Sequence, residues 1–306
     1  RQIDLTLQSV PWAVGQIIHE TINAAGERDD IELPPTDADY DYRPHLAPQY
    51  AGTSAVTKKQ FIAGKGHGRF FLRVDAPSAN DAYVQIVLYD ELPYIDLIID
   101  IDKQIVTAPE SLYVAFPLAV ENPVPRYEVA GAIVEAETQQ LINATRDYYS
   151  IQNWVDCSND HYGVTLASPD VNMLHIGGFY NNAHLQSLEI GQPLLVSWPM
   201  NNHWWTNFKR DQSGWTRFRY RLWLHDGPFD AVKATRFGAD MATPPLVGPL
   251  TDVFPGFLNR EVSTPVHLPA EQASLYSLSP ENVQIASTRI TESEVIIDLQ
   301  EIAGES

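Results

Sequence analysis

One cysteine, Cys157, stands among 306 residues, so no disulfide can form within the chain. A lone thiol fits the cytosol and bacterial export alike, which leaves the compartment open. No apolar run of about eighteen residues occurs, so no membrane-spanning helix is expected. Positive charge is scarce: 20 Lys and Arg stand against 39 Asp and Glu, a formal net charge of -19. Nucleic acid and anionic membrane both call for a basic surface, so neither is expected as a partner. None of the nine histidines falls in an HExxH or HxH pattern and no second cysteine exists, so no metal or other cofactor held by this chain alone is expected. Gly-x-Ser-x-Gly elbows and dinucleotide fingerprints are missing too. Gly64-Lys65-Gly66-His67-Gly68 lacks the Lys-Ser/Thr ending of a phosphate loop and reads as a turn. The chain opens on Arg1 without a signal-peptide pattern, and is expected to be a piece of something longer.

Helical periodicity is also rare. Leu5–Ile22 is expected as a helix interrupted at Pro11, and Asp230–Arg236 as a short one. Strand patterning dominates the rest. In Tyr94–Asp102 the residues Ile95, Leu97, Ile99 and Ile101 share one face while Asp96, Asp100 and Asp102 share the other. Arg217, Arg219 and Arg221 alternate in the same way with Phe218, Tyr220 and Leu222. Further strands are expected at Tyr83–Tyr89, Ser111–Pro117, Tyr127–Glu135, Val164–Ala167, Leu194–Trp198 and Glu294–Leu299. With 22 prolines and 17 glycines between short strands, the chain reads as all-β, a sandwich or a barrel.

Chemistry-bearing residues cluster in few places. Trp198-Pro199-Met200-Asn201-Asn202-His203-Trp204-Trp205-Thr206-Asn207-Phe208 crowds indoles, amides and an imidazole together. A core has little use for that many amides, since each needs several hydrogen-bond partners when buried. A sugar-facing surface does use them, with rings stacking on pyranose faces and amides reading hydroxyls; the plainer reading is a Trp-rich turn between strands. On the strand face of Asp96, Asp100 and Asp102, residues two apart lie roughly 7 Å from each other, so only Asp100 and Asp102 approach the separation of an acid/base couple in sugar hydrolysis. A solvated outer face, or pairing of this row with arginines such as Arg217, Arg219 and Arg221 on a neighbouring strand, is the preferred reading. Trp154–Ala167 reads as strand, Ser-Asn-Asp turn and strand, with Asp156 and Asp160 tying down the turn.

Several of these stretches, taken in order, resemble one family. They are Glu91-Leu92-Pro93-Tyr94-Ile95-Asp96, Pro109–Pro117, Trp154-Val155-Asp156 with Tyr162–Ser168, Met200–Phe208, Ser277–Ile285 and Glu294–Leu299. Together they are similar to the C-terminal β-sandwich region of family 38 glycoside hydrolases, the retaining α-mannosidases and their bacterial relatives. The resemblance covers roughly residues 80–300. It implies a large antiparallel supersandwich of the galactose-mutarotase type. It also implies that the nucleophilic aspartate and the zinc ligands lie in a separate N-terminal α/β barrel, so none of them is carried onto a residue of this sequence. Catalytic residues stay unassigned. Zinc would belong to the missing catalytic domain, which would be this chain's partner along with carbohydrate. The best candidates for sugar contact or the domain interface are Asn201, Asn202, His203, Trp204 and Asn207, followed by Glu110 and Asp156.

Three segments are expected: an irregular connector over 1–50, the main supersandwich over 51–265, and C-terminal strands over 266–306 packed on it. The leading functional expectation is the non-catalytic sandwich half of an α-mannosidase-like retaining glycosidase. The alternatives are a free-standing carbohydrate-binding module, and a sandwich-fold sugar epimerase or lyase, the last by fold analogy alone.

Overall fold

The computed structural model describes residues 10–24, 46–142, 144–179, 187–188, 190, 193–202, 209–245 and 277–304, with only the strand course given for 22–24 and 46–51. Two compact units divide the chain, Arg1–Ala242 and Thr243–Ser306. In the first, chain order runs β1 (Gln16–Ala24), β2 (Leu46–Thr53), β3 (Ala55–Gly64), β4 (His67–Asp75), β5 (Ala79–Tyr89) and β6 (Tyr94–Lys103). It continues with β7 (Glu110–Pro117), β8 (Val124–Val129), β9 (Ala132–Glu135), β10 (Tyr149–Ser150), β11 (Trp154–Ser158) and β12 (Tyr162–Ala167). β13 (Met173–Ile176), β14 (Leu194–Asn201), β15 (Gly214–Asp226) and helix α1 (Ala231–Ala242) complete the unit. The second unit holds the hairpin β16 (Val283–Ile290) and β17 (Val295–Glu301).

The strands of the first unit make two antiparallel sheets. One has six strands in the order β10-β13-β14-β7-β1-β2, the other nine in the order β3-β4-β5-β6-β15-β12-β11-β8-β9. Between them lies the main core, in which Leu97, Ile99 and Ile101 of β6 meet Leu112, Val114 and Phe116 of β7, with Phe218, Tyr220 and Leu222 of β15 alongside. Each buried aliphatic side chain there contributes about 1.5–3 kcal/mol. The chain is thus the all-β supersandwich expected.

The polar face of β6 behaves as its sequence pattern implies. Arg221 donates to both carboxylate oxygens of Asp96 at 2.5 and 2.8 Å, and Arg217 to both of Asp100 at 2.7 and 3.1 Å. These are directly opposed cross-strand pairs in the β15–β6 register. Arg219 instead reaches Asp170 of the loop after β12.

Residues 16–22, expected inside a helix, and residues 46–50, expected inside a connector, are corrections: β1 and β2 belong to the six-stranded sheet. In β1, Ile17 enters the inter-sheet core while Ile18 enters a second cluster on the opposite face, with Tyr113, Ala115 and Trp198. A strand covered on both faces shows no polar alternation, so its period is hidden. Pro48 is tolerated because β2 is an edge strand. The expected strand Tyr127–Glu135 is the hairpin β8–β9, turned by Ala130 and Gly131, both at positive φ (50° and 77°).

Candidate functional site

At one end of the sandwich the two sheets are tied by a buried carboxylate. Glu110 opens β7, where an apolar run begins, and is buried. Its oxygens accept from Ser78 Oγ at 2.8–2.9 Å and from His19 Nε2 at 2.9 Å, and form an ion pair with Lys103. Lys103 Nζ donates further to Ser78 Oγ at 2.8 Å and to the Gln104 carbonyl at 3.1 Å. His19 and Glu110 belong to the six-stranded sheet and Lys103 to the nine-stranded one, while Ser78 sits in the turn before β5. Burial by itself would raise the Glu110 pKa. Hydrogen bonds from His19, Lys103 and Ser78 outweigh it and hold the carboxyl below its ordinary value.

Asn202 follows β14 beside this network. Its Oδ1 accepts from the Glu110 backbone N–H at 2.8 Å, and its Nδ2 lies 3.0 Å from the carbonyls of Val106, Ala108 and Arg210. The side-chain amide is fully engaged by backbone. Its action is to pin the loop after β6 and the segment before β15 to the start of β7. Asn201, the last residue of β14, makes no side-chain hydrogen bond among the described residues. With Lys103, Glu110, Asn202 and Gln212 it lines a narrow cleft whose cavity volume is about 10 Å³.

The structure therefore brings Glu110, Asn201 and Asn202 together. Asp156 lies elsewhere, on the nine-stranded sheet, fully buried and accepting from Ser158 Oγ at 2.5 Å, Thr165 Oγ1 at 2.7 Å and His225 Nε2 at 3.0 Å. It organises its hairpin and does not adjoin the cleft. His203, Trp204 and Asn207 lie outside the described residues. Trp198, the first residue of the Trp-rich stretch, is a packing residue: it stacks on Tyr113 with centroids 5.6 Å apart and meets His175 at 5.2 Å. Tyr113 in turn donates its hydroxyl to Glu20 at 2.6 Å.

His19, Ser78 and Lys103 were missed from sequence. For Lys103 a signal was present. It continues the Ile95, Leu97, Ile99, Ile101 face by the period of two, and a lysine at the inward end of such a face requires an anion. His19 was hidden inside the segment expected as a helix.

Among the described residues, no three His, Cys, Asp or Glu side chains converge as metal ligands do. The two His–carboxylate pairs, His19–Glu110 and His225–Asp156, are each completed by other donors: an ammonium in the first, hydroxyls in the second. Neither pair therefore offers the set of free lone pairs that a zinc ion needs. Cys157 is fully buried, with its thiol pushed up by burial and by neighbouring Asp156, which removes the thiolate that nucleophilic chemistry needs.

No family model and no curated protein matches the chain. Solved structures do. An α-mannosidase from Enterococcus faecalis V583 superposes with a TM-score of 0.52 at 10% identity, covering 75% of this chain and 28% of that one. A protein of glycosyl hydrolase family 38 from Enterococcus faecalis gives 0.51 at 10% identity with the same coverage. At this identity the likeness establishes the fold alone: the chain is folded like part of those proteins and spans 28% of their length.

Proposed function

We propose that the chain is the C-terminal β-sandwich portion of a retaining, α-mannosidase-like glycoside hydrolase of family 38, and that it shapes the sugar cleft from one side. Nucleophile, acid/base and zinc belong to an N-terminal domain outside this chain. The observation that carries the reading is the superposition on a family 38 α-mannosidase over 75% of this chain and 28% of that protein. The site's chemistry agrees with a supporting role. Glu110, Asp156 and Asp96 are each held by several internal donors, an arrangement that keeps shape and does not shuttle protons. Glu110 and Asn202 are positioning residues. They fix a rigid base from which Asn201, His203, Trp204 and Asn207 meet sugar hydroxyls and ring faces.

The test is made on the full natural gene product. A polypeptide well above 34.3 kDa that hydrolyses an aryl α-mannoside with retention at the anomeric carbon is expected. Trp204→Ala and Asn201→Ala should raise KM several-fold without moving the melting temperature. A product no larger than this chain, or a long one inert on α-mannosides, sinks the proposal. A 34.3 kDa product that binds mannan without cleaving it would be a free-standing binding module.

A further inference from the structure

The nine-stranded sheet has an outer face, turned away from the inter-sheet core. Helix α1 packs on that face over β11 and β12. Toward β4 the face is open: Trp215 of β15 is 59% exposed, and so is the side chain of Arg217. Register places what stands there. Trp215 opposes Asp102 and Arg217 opposes Asp100 across β15 and β6. From the other side, Asp81 and Tyr83 of β5 oppose the same two aspartates, and Arg73 of β4 opposes Tyr83. Core residues Val74, Val84, Ile99 and Phe218 alternate with them along their strands, so all seven share the outer face.

Two rings make a platform in this row. β6 lies between β15 and β5, yet Trp215 and Tyr83 lean toward one another across it. Their centroids are 6.1 Å apart and their planes within 19° of parallel. Ion pairs frame the rings and fix them. Arg217 donates from Nε and Nη2 to Asp100, and Arg73 Nε donates to Asp81 at 3.0 Å. The Tyr83 hydroxyl donates to Asp81 at 2.7 Å. Nη1 of Arg217 and both Nη atoms of Arg73 keep their N–H groups free of partners among the described residues.

This chemistry selects a ligand. Protein interfaces have broad cores depleted of charge, whereas here two rings stand amid Arg and Asp with no aliphatic neighbour in the row. Two arginines face three aspartates, so an anionic ligand meets no surplus positive charge. A pyranose fits both features. Its apolar C–H face lies on rings whose faces carry negative charge density. Each of its hydroxyls donates and accepts, so neighbouring hydroxyls accept from the spare guanidinium N–H groups and donate to the carboxylates beside them. We propose that this outer face binds a neutral glycan chain, with Trp215 and Tyr83 as the platform and the Arg217–Asp100 and Arg73–Asp81 pairs reading hydroxyls. The platform is separate from the cleft lined by Lys103, whose side chain turns inward where that of Asp102 turns outward. It does not depend on the hydrolase reading.

Affinity electrophoresis of the full natural gene product tests it, in native gels cast with mannan, galactomannan, xylan or mixed-linkage β-glucan, and with heparin as the acidic comparison. At least one neutral polysaccharide should retard the protein, and Trp215→Ala should weaken that retardation several-fold. Tyr83→Ala should weaken it as well. Trp215→Tyr, which keeps a ring, should retain most of it, and this rescue separates lost stacking from lost fold. Asn201→Ala, in the cleft, should leave the retardation standing. No retardation by any neutral polysaccharide overturns the proposal. So does retardation that survives Trp215→Ala, that Asn201→Ala abolishes, or that heparin alone produces.

Discussion

Asn202 and Glu110 grip each other twice: Asn202 Oδ1 accepts from the Glu110 backbone N–H at 2.8 Å, and the Asn202 backbone N–H donates to the Glu110 carbonyl at 3.2 Å. The Asn202 side chain also satisfies three carbonyls, of Val106, Ala108 and Arg210. Asn202→Ala strands these groups at a buried position and should lower stability by about 3 kcal/mol. Asn202→Asp keeps the acceptor, loses the donors and places a second carboxylate beside Glu110, so it should cost at least as much. Urea unfolding measures both. A loss under about 1 kcal/mol for the alanine variant would mean water replaces the amide and the cleft wall is not pinned as described.

Glu110 and Lys103 form an ion pair that is buried on both sides, with side-chain exposures of 6 and 5%. Removing one partner leaves the other charge uncompensated, so Glu110→Gln should cost about 3–5 kcal/mol. Glu110→Gln with Lys103→Met should cost less than the two single changes summed, since the pair's desolvation then disappears. A double-mutant cycle by chemical denaturation reads this coupling directly. The pH dependence has a definite sign. The Glu110 carboxyl is held below its ordinary value of 4.5, so the stabilisation is full above that pH and is lost as the pH falls below it. Glu110→Gln should flatten the acid limb of the stability curve.

His175 supplies a second pH window. The ring is fully buried, with Nδ1 2.6 Å from the Asp147 carbonyl, and burial pulls its pKa from 6.5 to about 4. The unfolded ring takes a proton as the pH falls through 6.5, while the folded ring takes none until about 4. Stability is therefore full above the upper value and falls by roughly 3 kcal/mol across the window. His175→Phe should remove the slope between those values. Its overall stability is set by the lost bond to Asp147. Imidazole NMR titration checks the assignment, and a folded ring that titrates above pH 6 sinks it.

What the sequence made legible was whatever showed on one exposed face. β6 and β15 alternate cleanly, so both their core side and the Asp–Arg ladder of Asp96–Arg221 and Asp100–Arg217 follow from the period of two. β1 did not, because Ile17 and Ile18 are buried on opposite faces. The β8–β9 turn escaped because Ala130, not Asn or Asp, precedes Gly131 in it. Within the candidate site, Glu110 and Asn202 were named from the sequence as candidates for sugar contact or the domain interface, and the structure shows the hydrogen bonds that hold them in place. An amide-rich stretch points toward sugars, whereas the Asn202 side chain binds backbone. Nothing local in the sequence could reveal that, since its partners come from β7 and from loops up to 96 residues away.

Gly163 offers the sharpest steric test. It sits in β12 opposite Ser158 and beside His225. A Cβ there would lie 2.3 Å from the Ser158 Cβ and 2.7 Å from the His225 ring. Gly163→Ala should therefore force His225 off Asp156, a fully buried carboxylate, and cost roughly 3 kcal/mol as overpacking plus a lost partner. The contrast is Gly66, where a Cβ meets nothing within 4 Å but φ is +80°. There Gly66→Asn, which tolerates left-handed backbone, should be nearly neutral. Thermal unfolding ranks the pair, and the shift of the His225 ring protons reports the broken bond. Adding Ser158→Gly to Gly163→Ala relieves one clash, leaves the other and removes the Ser158 donor to Asp156, so at most part of the stability should return. Full return would put the whole clash at Ser158 and leave the His225–Asp156 bond intact in the alanine variant.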